Sequence, residues 1–194
     1  MYLALETSRC WNTSWLVRVS LVYRGRAMPL VGSLLEHPSS RVADDVYKAL
    51  LEKAAELLPC GCTVVLTADR GWADTPLMAH RTRWGGPWRM RINGSFWVYR
   101  PGKRRCPVHR VPVAVGKALV WPHVYLTKPW DGPVHLALGR PQESQEYWCV
   151  GSDAPTEAKT FEAYGWRFDI EENFLADQSH GVQLESSLIR SVNA

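Results

Sequence analysis

One helix face near the end of the chain combines an acid, a base and an amide. Read as a helix, this segment brings Arg167, Glu171 and Gln178 onto the same side, because side chains three, four and seven positions apart line up. Two further acids, Glu6 and Asp69, lie where short apolar runs end. Carboxylate oxygens are the ligands that Mg²⁺ prefers, so these three acids would suit a divalent metal site if the fold brought them together.

The spacing around Glu171 resembles a known signature. Tyr164, Arg167 and Glu171 reproduce the first part of the Y-x2-R-x3-E-x6-K signature of bacterial insertion-sequence transposases of the DDE type, the "IS four" family. Gln178 stands where that family has lysine. A second match lies upstream in residues 68–74, which are similar to the segment around the family's second catalytic aspartate at a strand end.

The resemblance implies an enzyme that cleaves DNA and transfers strands at the ends of an insertion sequence. Such enzymes use two Mg²⁺ or Mn²⁺ ions about 3.5–4 Å apart, held by a shared carboxylate cluster. The resemblance implies that Glu6, Asp69 and Glu171 are both the catalytic residues and the metal ligands. Open α/β sheets place their sites at the carboxyl ends of strands, which fits these positions. Glu172 lies about 100° round the helix from Glu171 and is predicted to point away.

Three departures from the family predict a truncated or degenerate copy with little activity. The family has aspartate where this chain has Glu6, and one extra methylene moves the carboxylate by roughly 1.5 Å, whereas active sites tolerate about 0.5 Å. Gln178 lacks the positive charge of the family's lysine. Full-length members also carry an N-terminal DNA-binding region, for which we expect no room here.

Basic residues are concentrated in the middle of the chain. Residues 75–130 hold eleven Lys or Arg and no Asp or Glu, whereas residues 1–74 are net neutral and residues 131–194 have net charge −7. A solvated face normally mixes both signs, so a segment without acids predicts a surface that binds a polyanion. The alternative is a basic face with no partner.

We expect DNA contacts to combine basic and aromatic side chains. The candidates from the middle segment are Arg100, Lys103, Arg104, Arg105, Trp97 and Trp121. In the family an aromatic residue of a β-rich insertion stacks on a flipped base, and Trp130 is a third candidate for that role beside the two tryptophans above. The resemblance implies that Tyr164 and Arg167 contact phosphate near the scissile bond, and that Gln178 is a further DNA-binding residue.

Each predicted catalytic acid also has an ordinary structural interpretation. Glu6 could be a surface acid, Asp69 could cap the turn before Gly71, and Glu171 could pair with Arg167 four residues earlier, a contact worth only a few tenths of a kcal/mol. Three other functions therefore stay open. They are a DNA-binding remnant without catalysis, a nuclease of the same superfamily that hydrolyses ends without joining them, and an unrelated basic β-protein.

The elements that must position these residues follow from hydrophobic periodicity. Three strands should form an antiparallel meander: Tyr2–Thr7 ending on Glu6, Trp15–Tyr23 and Met28–Leu35. A helix over Val42–Leu58, capped by Ser39 or Ser40, should precede a buried strand at Thr63–Ala68. Asp74 is the predicted N-cap of a helix that runs to about Trp84. A helical pattern of residues is found again over Thr156–Ser179.

Between those helices the sequence has the short runs of strand-forming residues, separated by turn residues, that are typical of all-β structure. Six runs are predicted as strands: Trp88–Ile92, Phe96–Tyr99, Val108–Val113, Leu119–Leu126, His135–Leu138 and Tyr147–Val150. The order of elements is that of an α/β, ribonuclease H-like mixed sheet flanked by helices, with a β-rich insertion before the last catalytic helix. We therefore assign residues 1–87 to the first part of the catalytic core, 88–150 to the insertion with some core strand, and 151–194 to the closing helices.

Composition excludes a membrane protein. The chain is 46% hydrophobic and 22% charged, and no apolar run approaches the ~18 residues of a membrane span. We expect no signal peptide, reduced thiols at the five cysteines, and a bacterial cytoplasmic, nucleoid-associated protein. The expected partners are DNA, as transposon ends and target, and a second copy of the chain in a homodimeric DNA complex, with no membrane partner.

Overall fold

The computed structural model describes residues 1–10, 14–24, 26–36, 43–73, 77–78, 86–127, 131–142, 146–157 and 159–161 of the 194-residue chain. These residues belong to two compact units, one drawn from Met1–Val64 and the other from Val65–Gly165. No helix in this described part is long and apolar enough to cross a membrane.

The first unit contains the predicted antiparallel meander, which is confirmed. Its strands are β1 (Tyr2–Arg9), β2 (Ser14–Tyr23) and β3 (Arg26–Glu36), in the spatial order β3-β2-β1. Leu5 pairs with Val19, and both side chains are fully buried. Alternation of the side chains therefore sets one apolar face of the meander toward the core.

Helix α1 (Asp44–Glu56) packs against β2 and β3 of the same unit. The helix itself is confirmed, but the predicted serine cap is wrong, because the N-cap residue is Ala43 in an extended conformation and makes no side-chain cap bond. Asp44 and Asp45 occupy the first turn, where acids interact favourably with the helix dipole. The buried face consists of Tyr47, Leu50, Leu51 and Ala54.

The second unit is a mixed sheet. Its strands are β4 (Val65–Ala68), β5 (Trp88–Arg91), β6 (Trp97–Tyr99), β7 (Cys106–Pro107), β8 (Lys117–Leu126), β9 (Asp131–Arg140) and β10 (Trp148–Ser152). They lie in the order β4-β5-β10-β9-β8-β6-β7. The β4–β5 pair is parallel and the other pairs are antiparallel. Strands thus dominate the described residues of both units.

Five of the six strand predictions between residues 88 and 150 are confirmed, and the run Val108–Val113 is the error. Val108–Arg110 forms a short 3₁₀ helix in which the Val111 N–H donates to the Val108 carbonyl at 3.0 Å. The Tyr147 hydroxyl donates to the same carbonyl at 3.1 Å. Pro112 has no N–H to offer a ladder, so an apolar composition here does not produce a strand.

The middle of the second unit's sheet is tightly packed and apolar. Trp88, Leu136, Leu138 and Val150 are fully buried on its central strands. A Cβ atom at Gly151 would lie 2.9 Å from the Ile92 Cδ1 atom, so only glycine lets that side chain approach the strand so closely. The helices predicted over residues 75–84 and 156–179 lie mostly outside the described residues.

Candidate functional site

Asp69 lies where the sequence predicts it, directly after β4 at the carboxyl end of that strand. Its carbonyl accepts a hydrogen bond from the Trp72 N–H at 2.9 Å, which closes a turn. Trp72 and Ala73 are buried, at 8% and 5% exposure, and anchor the turn. The backbone of the half-buried Asp69 is thereby held at the strand end, and the role of its carboxylate as a metal ligand stays a prediction.

Glu6 lies inside β1 and not at its end. The predicted strand was too short, because pairing with β2 continues through Arg9 opposite Trp15. Arg18 is the residue directly opposite Glu6, and its side chain is only 5% exposed. Directly opposed residues share one face of a sheet with Cβ atoms about 4.5–5.5 Å apart. The half-buried glutamate therefore shares its face with a buried cation that the sequence analysis missed.

Convergence of the three predicted catalytic acids stays a prediction. Glu171 and Glu172 lie outside the described residues, and Glu6 and Asp69 belong to different units. Within the described residues no group of three or more His, Cys, Asp or Glu side chains could hold a metal ion. Four other predicted or candidate contact residues also lie outside the described residues: Tyr164, Arg167, Gln178 and Trp130.

A set of charged residues that the sequence analysis did not select lies near Asp69. Ala68 pairs with Met90 in the parallel β4–β5 ladder, so Asp69 and Arg91 follow at the same edge of the sheet. The Arg91 guanidinium donates a hydrogen bond to the Glu146 carboxylate and lies 5.2 Å from the centroid of the Trp148 ring. The membership of Arg91 in the acid-free segment was its only signal in the sequence.

The ionisation of Glu146 follows from that neighbourhood. The hydrogen bond from Arg91 is the main cause that lowers the pKa of Glu146 below its ordinary value. Burial opposes the shift, while a hydrogen bond from the Trp148 indole and the charge of Arg70 assist it. Glu146 thus stays ionised and offsets part of the positive charge at this edge.

Stacked arginine and aromatic side chains lie at the opposite side of the same sheet, on β6, on β8 and in the turn after β6. The Arg105 guanidinium lies 5.2 Å from the centroid of the Trp97 ring and 5.9 Å from that of Tyr99. Its Nη1 donates to the Tyr99 hydroxyl at 3.3 Å. The Arg100 guanidinium lies 3.8 Å from the centroid of the Trp121 ring. We call these five residues the aromatic–arginine face.

A tight turn and the strand register build this face. Val98 points into the core at 2% exposure, so alternation along β6 turns Trp97 and Tyr99 to the other side. The turn that follows closes with the Lys103 N–H donating to the Arg100 carbonyl at 3.0 Å, and Gly102 supplies the required positive φ of 68°. That turn carries the chain directly from Arg100 to Arg105.

The face keeps its positive charge available. In the described part of the chain no carboxylate pairs with any of the basic residues of the turn, which are Arg100, Lys103, Arg104 and Arg105. A guanidinium over an aromatic ring gains about 0.5–1 kcal/mol at an exposed site and keeps its N–H groups free for phosphate oxygens. The arrangement is chemically suited to bind a nucleic-acid strand through phosphates and bases.

The structure separates the tryptophan candidates. Trp97 is 42% exposed, whereas Trp121 is half-buried and has the Arg100 guanidinium close over one ring face. The structure therefore brings Trp97 together with Arg105 and Trp121 together with Arg100, while Lys103 and Arg104 extend into solvent from the turn. Tyr99 was missed, although its alternation with Trp97 along β6 is visible in the sequence. DNA contact by all of them stays a prediction.

Comparison with known proteins finds structural similarity but no match in sequence. No protein-family model matches the sequence, and no curated protein matches it. The fold is similar to that of a piggyBac transposase in a cryo-EM structure of its synaptic complex with hairpin DNA, with a TM-score of 0.55 and 10% sequence identity. The match covers 91% of this chain and 40% of the transposase chain. The chain therefore has a transposase-like fold, and this comparison does not distinguish the "IS four" family.

Proposed function

We propose that this chain is the catalytic domain of a DDE-type DNA transposase with a ribonuclease H-like core, and that this copy has lost most of its activity. The observation that carries the proposal is Asp69, held at the carboxyl end of a buried strand in a transposase-like fold. The resemblance of residues 164–178 to the "IS four" signature, together with that of residues 68–74, supports the choice of family.

DNA is the proposed substrate, and the aromatic–arginine face is the proposed contact. Its cations come from a segment with eleven basic residues and no acid. Stacked guanidiniums would bind the phosphate backbone, while the exposed ring of Trp97 would stack on a base. Assembly of two copies on one DNA complex belongs to the same proposal.

Glu6, Asp69 and Glu171 are the residues that would hold two Mg²⁺ or Mn²⁺ ions. All three are carboxylates, the hard oxygen donors that these ions require, so the donor set fits the metal. Bound ions of this kind activate the attacking oxygen and stabilise the leaving one. The chain's own contribution would be to hold the ligands in place, and the turn that closes from the Trp72 N–H to the Asp69 carbonyl holds the backbone at Asp69.

Two substitutions test the proposal. The extra methylene of Glu6 and the missing charge at Gln178 should together leave the unmodified chain with little or no Mg²⁺-dependent nicking. We expect Glu6→Asp with Gln178→Lys to restore nicking of a DNA substrate at high concentration, measured on a supercoiled plasmid. Adding Asp69→Asn to that double variant should abolish the restored nicking, which controls for a contaminating nuclease.

A DNA-binding remnant is the second candidate function. The position of Glu6 within β1, opposite the buried Arg18, favours it, because the predicted metal site needs this acid at the end of the strand. A folded double variant that binds DNA and does not nick it would support the remnant and exclude the transposase. Nicking without joining of a supplied 3′-hydroxyl end would instead indicate a nuclease of the same superfamily. Robust transposition by the unmodified chain would disprove the loss of activity.

A further inference from the structure

A cleft of about 670 Å³ lies in the second unit, apart from the five residues of the aromatic–arginine face. Its wall runs from the 3₁₀ helix through the loop that precedes β8, and Arg140 at the end of β9 and Tyr147 complete it. Ligand pockets for small molecules occupy roughly 300–1,000 Å³. The cleft is therefore large enough for a nucleotide-sized ligand.

The polar lining of the cleft is basic. Arg110 and Arg140 reach it from two different elements, and His109 adds an imidazole. Among the described residues that line the cleft there is no Asp or Glu. Arg110 is exposed and forms no ion pair with any described residue. Two guanidiniums at one cleft, one of them without a carboxylate, favour an anion with several oxygens, since the planar fork matches phosphate geometry.

The hydrogen bonds around the cleft fix the imidazole and the phenol. The His109 Nδ1 atom lies 2.9 Å from the Gly94 carbonyl, so Nδ1 carries a proton, donates to that carbonyl and fixes the orientation of the ring. Burial raises the pKa of Tyr147, which keeps the phenol protonated and donating to the Val108 carbonyl. The basic side chains are thus supported on an ordered frame.

The remaining wall is apolar. Residues 111–114 contribute Val, Pro, Val and Ala, and Val111 is 5% exposed. An apolar wall facing two guanidiniums suits an amphipathic ligand that has an anionic end and a ring. We propose that this cleft binds the phosphate ester of a nucleotide, supplied by a DNA strand or by a free nucleotide. If the phosphate belongs to a DNA strand, the inference rests on the proposed function. If it belongs to a free nucleotide, the inference is independent of that function.

The test uses the full chain and two probes, a labelled deoxythymidine oligonucleotide and free thymidine monophosphate. Anisotropy measures oligonucleotide affinity at several salt concentrations for Arg110→Gln, Arg140→Gln and the double variant. Each lost phosphate contact should lower the salt slope of log K by about 0.7 on a single strand. Affinity should fall roughly tenfold in the double variant. Arg26→Gln removes one charge at an exposed position of the first unit, as each single variant does at the cleft, and should leave the slope unchanged.

The possible results distinguish a DNA strand from a free nucleotide as the ligand, and the cleft proposal from DNA binding by the aromatic–arginine face. A lower slope in the double variant without binding of the monophosphate assigns the cleft to a strand phosphate. Calorimetric binding of the monophosphate that the double variant abolishes assigns it to a free nucleotide. Wild-type behaviour of the double variant with both probes overturns the cleft proposal. If Arg100→Gln with Arg105→Gln lowers the slope in that case, DNA binding by the aromatic–arginine face stands and only the cleft proposal fails.

Discussion

The second unit uses tryptophan in two opposite ways on two of its strands, β5 and β6. In β5, Trp88 and Met90 are fully buried, and Arg89 and Arg91 alternate with them. In β6 the buried residue is Val98, so the tryptophan lies on the outward side at 42% exposure. Both strands alternate one aromatic or apolar buried side chain with side chains that are less buried. The phase of the alternation relative to the core, and not the composition, decides whether a tryptophan stabilises the fold or is available to a ligand.

The largest expected difference between these two positions is in stability. Trp88→Ala removes a fully buried ring and should lower the free energy of unfolding by about 3–5 kcal/mol. Trp97→Ala, the comparison variant, should cost only about 0.5–1 kcal/mol, because it removes a partly exposed ring and its contact with the Arg105 guanidinium. Urea denaturation followed by circular dichroism measures both variants. Equal losses of unfolding free energy at the two positions would mean that Trp97 belongs to the core.

The comparison reverses when DNA affinity is measured. Trp97→Ala should lose about 1–3 kcal/mol of binding to single-stranded DNA, the usual value of one base–aromatic stack. Trp97→Phe should keep most of it, since the stacking face remains. Fluorescence anisotropy at fixed salt provides the measurement. Unchanged affinity of the alanine variant would exclude Trp97 as a stacking residue and return the choice to Trp121 and Trp130.

The smallest expected effect is a pH dependence at the inner part of the sheet. Burial is the main cause that lowers the pKa of His135 below 6.5, His123 lowers it further, and Asp153 opposes the shift. The ring centroids of the two histidines are 4.8 Å apart. Because the unfolded chain binds the proton more tightly, stability is complete above about pH 6.5 and falls as the pH drops through that value toward the lower folded pKa.

Thermal unfolding between about pH 7.5 and pH 5.5 measures this effect, since the window brackets an ordinary histidine. His135→Gln should flatten the dependence, and His123→Gln should reduce it only in part because burial is the larger cause. If the His135 variant keeps the full pH dependence of its thermal stability, the titrating group is not His135.

The strands and the meander were predictable because their signals are local. Alternation and turn residues mark β2 and β3, and the continuous apolar run marks β4 as a strand covered on both faces. The run Val108–Val113 has the same composition as a strand. It fails because Pro112 has no N–H for a strand ladder, and because the Val108 carbonyl accepts a hydrogen bond from Tyr147, 39 residues later, a partner that a local stretch of sequence does not show.

The candidate site was predictable only in part for the same reason. Asp69 follows from its place after an apolar run, and Arg100 and Arg105 follow from the charge count. Arg18 opposite Glu6 depends on the strand register, and the pairing of Arg91 with Glu146 joins residues 55 positions apart. Neither contact has a sequence signal of its own. The choice of Trp97 over Trp121 likewise required knowledge of which face of β6 is covered.

The salt dependence of DNA binding tests the central claim most directly, because it measures the number of phosphates that the basic segment neutralises. On labelled duplex DNA, we expect affinity to fall steeply between about 50 mM and 200 mM salt, with each phosphate contact adding about 0.9 to the slope. Arg104→Ala with Arg105→Ala should lower that slope by about 1.8 and weaken binding similarly for all sequences. An affinity that does not change over this range, or a slope that the double variant leaves intact, would contradict the assignment of this edge to DNA.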